Sequence, residues 1–448
     1  MTKSINRVIG GGGINKLVLF FSFLLVSSPP FVFAQLNPAQ YQFISPQSTK
    51  EQAIQQALYE QEVLAAFQKV EAMQMAGVIP SGAQERFPPL VSLIHPYAGW
   101  DVVYDDNIYL TDSNRKTDLI NILRPGVKLI FGDIQATKGM NRIELDAGAN
   151  LFSFYSRDGN NRQEPYGYFF SQFGKGRHKL TLNQSFAKNH SPVSAITIGG
   201  SGKFINYKDS TTKFFWESNY NRVGVEIFCT RVYDEYEKEY KAGSTIEQQM
   251  YAPNIFFQPS PKTKFFVGYN YGWADYVKNT NKTNNNHYER YWVGAKGELT
   301  NKIAGIIKAG IENRIYKGLS SQLNVISAAM DLTYSHSPKT AFTLKLSQGN
   351  KDSSYVNSVL DKGQDASVHA IYKFSRTLSL NLGTDFSRDK YDQSGTKSYS
   401  YNYITRFDYS YQKWLKMYLS YRYRNKDSNS PSDEYTDNIY SFGAAVIF

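Results

Sequence analysis

The sequence predicts an all-β fold: a single transmembrane antiparallel up-and-down β-barrel of about 18 strands (16–18), preceded by a short N-terminal periplasmic helix. Three observations predict it. Apolar and polar residues alternate with period two to the end of the chain, the alternating runs are long, and the connections between them alternate between tight and long.

Before that pattern begins, the chain carries two other segments. Lys3, Arg7 and Lys16 precede an apolar stretch from Leu17 to Val26, and Val32-Phe33-Ala34 supplies small-residue cleavage chemistry. Residues 1–34 therefore read as a secretory signal peptide cleaved after about Ala34. The apolar stretch is too short for a membrane span, which needs about 20 residues. Residues 35–89 form a periplasmic linker containing an amphipathic helix at about 49–75. Ile54, Leu58, Leu64, Phe67 and Val70 recur there at near-helical spacing, and Gly77 and Pro80 stop the run. That helix could rest on the barrel rim, dock a partner or enter the lumen.

From residue 90 to 448 the period is two. Leu378, Leu380, Leu382 and Phe386 alternate with Ser379, Asn381, Gly383 and Asp385. Leu415, Met417, Leu419, Tyr421 and Tyr423 alternate with Lys416, Ser420, Arg422 and Arg424, and comparable runs fill 265–273 and 326–334. Successive side chains of a strand point to opposite faces, so each strand has one apolar and one polar side. A soluble sandwich alternates too, but its strands average about 5–6 residues, whereas a membrane-crossing strand needs about 9–11. Tight links fall at 174–177, 220–222, 258–262, 299–302, 335–339, 374–377 and 411–414; longer ones fall at 189–209, 237–245, 278–286, 351–363, 390–396 and 426–434. Short periplasmic turns and long extracellular loops produce that rhythm in membrane barrels.

Composition agrees. Aromatics make up 15% of the chain, with 34 Tyr and 29 Phe, as suits a wall that meets lipid headgroups. The net charge of +11 comes without any Lys/Arg block of the kind that binds nucleic acid, so no nucleic-acid partner is expected. The lone Cys229 excludes an internal disulfide and a cysteine metal site.

The polar faces hold the candidate functional residues. Asp105 and Asn107 follow Asp101 on one face of the first strand, opposite Trp100, Val102, Tyr104 and Ile108; they could hold a cation or a sugar hydroxyl, but fixing the first hairpin through backbone hydrogen bonds is favoured. Lys308, Glu312 and Arg314 are predicted to line the lumen, as are Arg406, Lys416, Arg422 and Arg424, the best basic strip. Most inward charges should pair across adjacent strands, and the alternative is a track that guides an anionic solute or polymer. Phe152, Phe154 and Tyr418 break the alternation inward. The link 189–209 could fold in and narrow the pore, or remain a surface loop. Tyr440, Phe442, Ala444, Val446 and Phe448 occupy alternate positions at the chain's end and read as an assembly signal.

Catalysis is not expected. His95, His178, His190, His287, His336 and His369 are scattered without metal-ligand spacing, and no G-x-S-x-G element is present. No cofactor, metal or catalytic residue is assigned.

Residues 97–131 carry a resemblance. The Tyr104-Asp105-Asp106-Asn107-Ile108 core, then Asp118 and Leu123-Arg124-Pro125-Gly126-Val127, resemble the "Putative beta-barrel porin 2" family. The resemblance implies an outer-membrane barrel, with members linked to exopolysaccharide or capsule systems. The expected partners are outer-membrane lipid and the assembly machinery, with a polysaccharide or its export components as a further candidate. Solute passage, polysaccharide export and a structural or adhesion barrel with a filled lumen remain open as functions, with a barrel enzyme behind them.

Overall fold

A computed structural model describes residues 94–132, 142–192, 204–236, 245–277, 285–318, 322–351, 361–391, 395–412, 414–430 and 434–447. The expected signal segment, the expected helix at 49–75 and Phe448 lie outside the described residues.

Eighteen strands follow one another along the chain. The first six are β1 (Ile94–Asp105), β2 (Asp118–Gly132), β3 (Arg142–Phe154), β4 (Arg162–Lys175), β5 (His178–Pro192) and β6 (Phe204–Tyr220). Next come β7 (Val223–Tyr236), β8 (Ile246–Ser260), β9 (Thr263–Tyr276), β10 (Asn286–Glu298), β11 (Ile303–Tyr316) and β12 (Gln322–Ser337). The last six are β13 (Thr340–Lys351), β14 (Asp361–Lys373), β15 (Leu378–Tyr391), β16 (Lys397–Gln412), β17 (Leu415–Ser428) and β18 (Tyr435–Ile447). Each pairs antiparallel with its sequence neighbours, and β1 also pairs with β18 from Tyr97↔Ile447 to Asp105↔Ile439. The sheet is thus a closed ring with no unpaired edge, as hydrocarbon demands of a strand structure.

The shortest strands have 12 residues and the longest 17, enough to cross a hydrocarbon layer with a tilt. Links at one end of the ring are tight, as at 176–177, 221–222, 261–262 and 338–339. One link at that end, 133–141, breaks the rhythm by being long. At the other end lie 106–117, 193–203, 277–285, 352–360 and the remaining longer links. Strand β5 runs to Pro192 and β6 starts at Phe204, so much of the stretch 189–209 is sheet rather than loop.

The two faces differ as the alternation requires. On β17 and its neighbours Leu419, Phe442 and Phe407 are 58%, 42% and 42% exposed and point outward; elsewhere Ile326, Val267, Ile311 and Val293 do the same. A soluble protein would not present such a continuous apolar belt to water. The inward faces carry the buried polar groups, among them Asp101, Glu144, Asp146, Glu226, Arg290, Glu312 and Arg314. Apolar side chains also turn inward, in clusters such as Phe256 with Phe266 and Trp292.

Ile108 departs from the sequence expectation. Strand β1 ends at Asp105, so the alternation no longer sets the direction of the residues after it. Ile108 is buried with Val103, Ile120, Ile122, Phe152, Phe154 and Ile439 inside the ring, not on the lipid face.

Candidate functional site

Strands β1, β2, β16, β17 and β18 surround the closure point, and their inward faces form a recess. Its polar lining is Arg124, Arg406, Arg422, Tyr418, Ser420 and Ser441; its apolar lining is Val103, Ile122, Ile404 and Ile439. Alternation explains the convergence. Arg124 follows Ile122 by two on β2, Arg406 follows Ile404 by two on β16, and Tyr418, Ser420 and Arg422 are successive inward positions of β17.

Two of the lining arginines, Arg124 and Arg406, are held by carboxylates. Arg124 pairs with Asp101. The guanidinium of Arg406 donates to Asp408 at 2.7 Å and lies 4.0 Å above the Tyr418 ring. Arg424, one inward position beyond Arg422, donates from Nε to Asp437 at 2.6 Å. A cation–π contact and a carboxylate partner fix a guanidinium while leaving other N–H groups directed elsewhere.

The Tyr418 hydroxyl spans the closure, donating to Asp101 at 2.9 Å and passing over β18 at Gly443. A Cβ at Gly443 would overlap both the Tyr418 ring and the Asp101 carboxylate. Gly443 is thus what lets a side chain of β17 reach one of β1 across the strand between them.

The other sequence-predicted residues fall elsewhere. Glu312 and Arg314 are fully buried on β11, half the ring away from the closure. There Glu312 accepts from Arg314 Nε at 2.7 Å and from Asn350 at 3.0 Å and pairs with Arg290, while both guanidiniums pack on the Tyr288 ring. Lys308 lies 4.7 Å over the Trp292 ring. Lys416 is exposed at the tight-turn end of β17. Asp105 accepts the Asn107 backbone N–H at 2.8 Å. The Asn107 side chain donates to the carbonyls of Thr111 and Thr436, both at 2.8 Å, and accepts the Thr111 N–H. Asn107 thereby ties the first hairpin to β18. Tyr440 and Phe442 turn outward and are half exposed. Sequence reasoning gave Arg124 no role of its own, although its alternation with Leu123 and Pro125 was the available signal.

Ion pairs cross several strands elsewhere in the wall. Lys264 of β9 reaches Glu217 at 2.8 Å and Glu226 at 3.1 Å, and Lys296 of β10 reaches Glu226 at 2.8 Å. At the long-loop end, the Arg162 guanidinium lies 4.5, 5.1 and 4.3 Å over the rings of Phe152, Phe154 and Phe204. By alternation Phe204 would face outward on β6, yet it packs against the inner cluster. The described base of the β5–β6 hairpin therefore leans inward.

His369 comes within 2.9 Å of Asp385, but Ser367 also donates to Asp385, at 2.7 Å. The hydroxyl is bound to the carboxylate rather than to the imidazole, so this cluster lacks the base-activated nucleophile of a hydrolytic triad.

A closed ring of strands, apolar outside and hydrogen-bonded and charged inside, defines an outer-membrane β-barrel protein. The chain matches the family described as "Putative beta-barrel porin 2" over residues 93–448 and belongs to that family. No curated protein matches it. Among solved structures it is similar to Acinetobacter baumannii OccAB3, at 12% identity and a TM-score of 0.44, covering 80% of this chain and 99% of that one. It is also similar to Pseudomonas aeruginosa OccK2 (OpdF), at 7% identity and TM-score 0.46, covering 79% and 97%. A third is the siderophore receptor PirA of Acinetobacter baumannii, at 8% identity and TM-score 0.44, covering 79% and 80%.

Proposed function

We propose that the chain is a passive channel for small solutes across the outer membrane, delivered there after signal-peptide removal near Ala34. The observation that carries this reading is the inward recess at the closure, where arginines and hydroxyls face the interior of a ring wide enough to hold water. A wall built only for stability needs no such group of guanidiniums around open space. Polysaccharide export rests on the family resemblance alone. A filled, structural barrel draws support from the packed side chains of β10 and β11, where Arg290, Glu312 and Arg314 have almost no exposure. Tyr440, Phe442, Ala444 and Val446, with Phe448, are proposed as the segment the assembly machinery binds.

Refolded protein in planar bilayers tests the channel reading. Stepwise conductance in electrolyte that added small sugars reduce little supports it. A silent bilayer with correctly folded protein favours the filled barrel, and loss of surface polymer on gene deletion with unchanged solute uptake favours export.

A further inference from the structure

We infer that the outer face of β14, β15 and β16, at the long-loop end, is a binding site for a phosphorylated glycolipid of the outer leaflet, whose phosphate sits among Lys362, Arg388, Lys390 and Lys397. The inference concerns the lipid side of the wall and is independent of what passes through the lumen.

Alternation builds the site. Lys362 of β14, Lys390 of β15 and Lys397 of β16 lie directly opposite one another across three adjacent strands. Their neighbours Gly363, Asp389 and Ser398 are buried, so the lysines take the outward positions. One outward position nearer the middle of the membrane, Arg388 lies opposite Gln364 and Tyr399. Its guanidinium donates to Gln364 Oε1 at 3.4 Å and lies 5.8 Å from the Tyr399 ring. Neither contact neutralises its charge. Asp427 of β17, opposite Tyr399, bounds the patch on its far side.

Like charges directly opposite on neighbouring strands destabilise a sheet. Elsewhere on the outer face near this end, opposite charges meet instead. Lys208 pairs with Glu235 at 3.4 Å, Arg231 with Glu247 at 2.9 Å and Lys317 with Asp275 at 3.7 Å. On β14–β16 the same rim aligns four cations. An anion seated among them turns repulsion into attraction. A phosphate monoester, with about two negative charges and three acceptor oxygens, suits both the ammonium groups and the guanidinium fork.

Depth selects a lipid as the source of that phosphate. The next outward residue of β15 after Arg388 is Phe386, whose ring lies 5.3 Å from that of Tyr401 and 6.5 Å from that of Tyr399. Aromatic rings on the outside of a membrane barrel sit at headgroup level. The cations just beyond them therefore stand beside lipid phosphates. Below them the outward side chains of β14 are small, namely Ala366, Val368 and Ala370. Leu344 and Leu346 of β13 and Leu382 and Phe386 of β15 flank them. The difference in size leaves a trough down the wall, in which an acyl chain makes dispersion contacts on both sides.

Diphosphorylated lipid A tests the proposal, with lipid A stripped of its phosphates and inorganic phosphate as controls. Binding to the folded full chain in a non-ionic detergent is measured by native mass spectrometry, and folding of each protein is verified by heat-modifiable gel migration. The diphosphorylated lipid should bind saturably and at least tenfold tighter than the phosphate-free lipid. Arg388→Gln combined with Lys397→Gln should weaken it about 25-fold, since each cation near an anionic headgroup is worth about fivefold. Lys208→Gln, which removes a cation paired with Glu235, should leave it unchanged. Equal binding of the two lipids, or unchanged binding in the folded double variant, would overturn the proposal. So would displacement of the lipid by an equal concentration of inorganic phosphate, which would make this a site for the free ion. Phosphate-dependent lipid binding in a barrel that never conducts supports the site and counts against the channel reading alone.

Discussion

Replacing Leu419 with lysine should destabilise the folded barrel far more than making the same change one residue away at Ser420. Leu419 is 58% exposed on the outer face, beside Phe442 of β18 and Phe407 of β16, well inside β17. Lysine there faces lipid, at a cost of about 2–4 kcal/mol near the bilayer midplane. Ser420 faces inward beside Arg406 and Arg422. A new ammonium there stays hydrated, and because Asp408 offsets the charge of Arg406 the remaining like-charge repulsion is worth about 1 kcal/mol at 4 Å in water. The expected difference between the two variants is therefore about 1–3 kcal/mol. Equilibrium urea unfolding in lipid vesicles, followed by tryptophan fluorescence, measures both. Equal losses, or a larger loss at Ser420, would refute the assignment of faces on which every inward residue depends.

Gly443→Val should overpack the space beneath Tyr418 and Asp101 and cost about 1–3 kcal/mol, with a lower yield of heat-modifiable folded species after refolding. Glu312→Gln should leave Arg290 and Arg314 buried without their shared carboxylate, at about 3–5 kcal/mol in the same unfolding assay. Asp101→Asn, by removing the carboxylate beside Arg124, should move the reversal potential in a salt gradient toward greater anion selectivity; an unchanged potential would show that the recess does not lie on the ion path.

Much of this architecture was legible in the residues because a strand's alternation and a barrel's link lengths are local properties. The tight turns at 220–222, 299–302 and 374–377 and the apolar faces around Leu382 and Leu419 could be read without knowing which strand neighbours which. The recess could not. Arg124 lies far in sequence from Arg406 and Arg422, and only the β1–β18 pairing brings them to one wall. Tyr418 was recognisable as an inward aromatic, whereas its reach to Asp101 depends on the absence of a side chain at Gly443 on a third strand. Ile108 misled for the opposite reason. Alternation was carried past Asp105, where the strand stops and the Asn107 hydrogen bonds set the direction of the chain.

Closure of the ring is the claim from which the site follows, and chemical cross-linking tests it most directly. Val103 of β1 lies opposite Ser441 of β18, and Trp100 lies opposite Ala444. With Cys229 replaced by serine, paired cysteines at either position should join within one chain through a short bismaleimide in the native membrane. They should do so as efficiently as a Leu419/Phe442 pair, which spans the β17–β18 hairpin. Joining at the hairpin pair with none at either closure pair would mean an open sheet, and the recess with its three arginines would not exist.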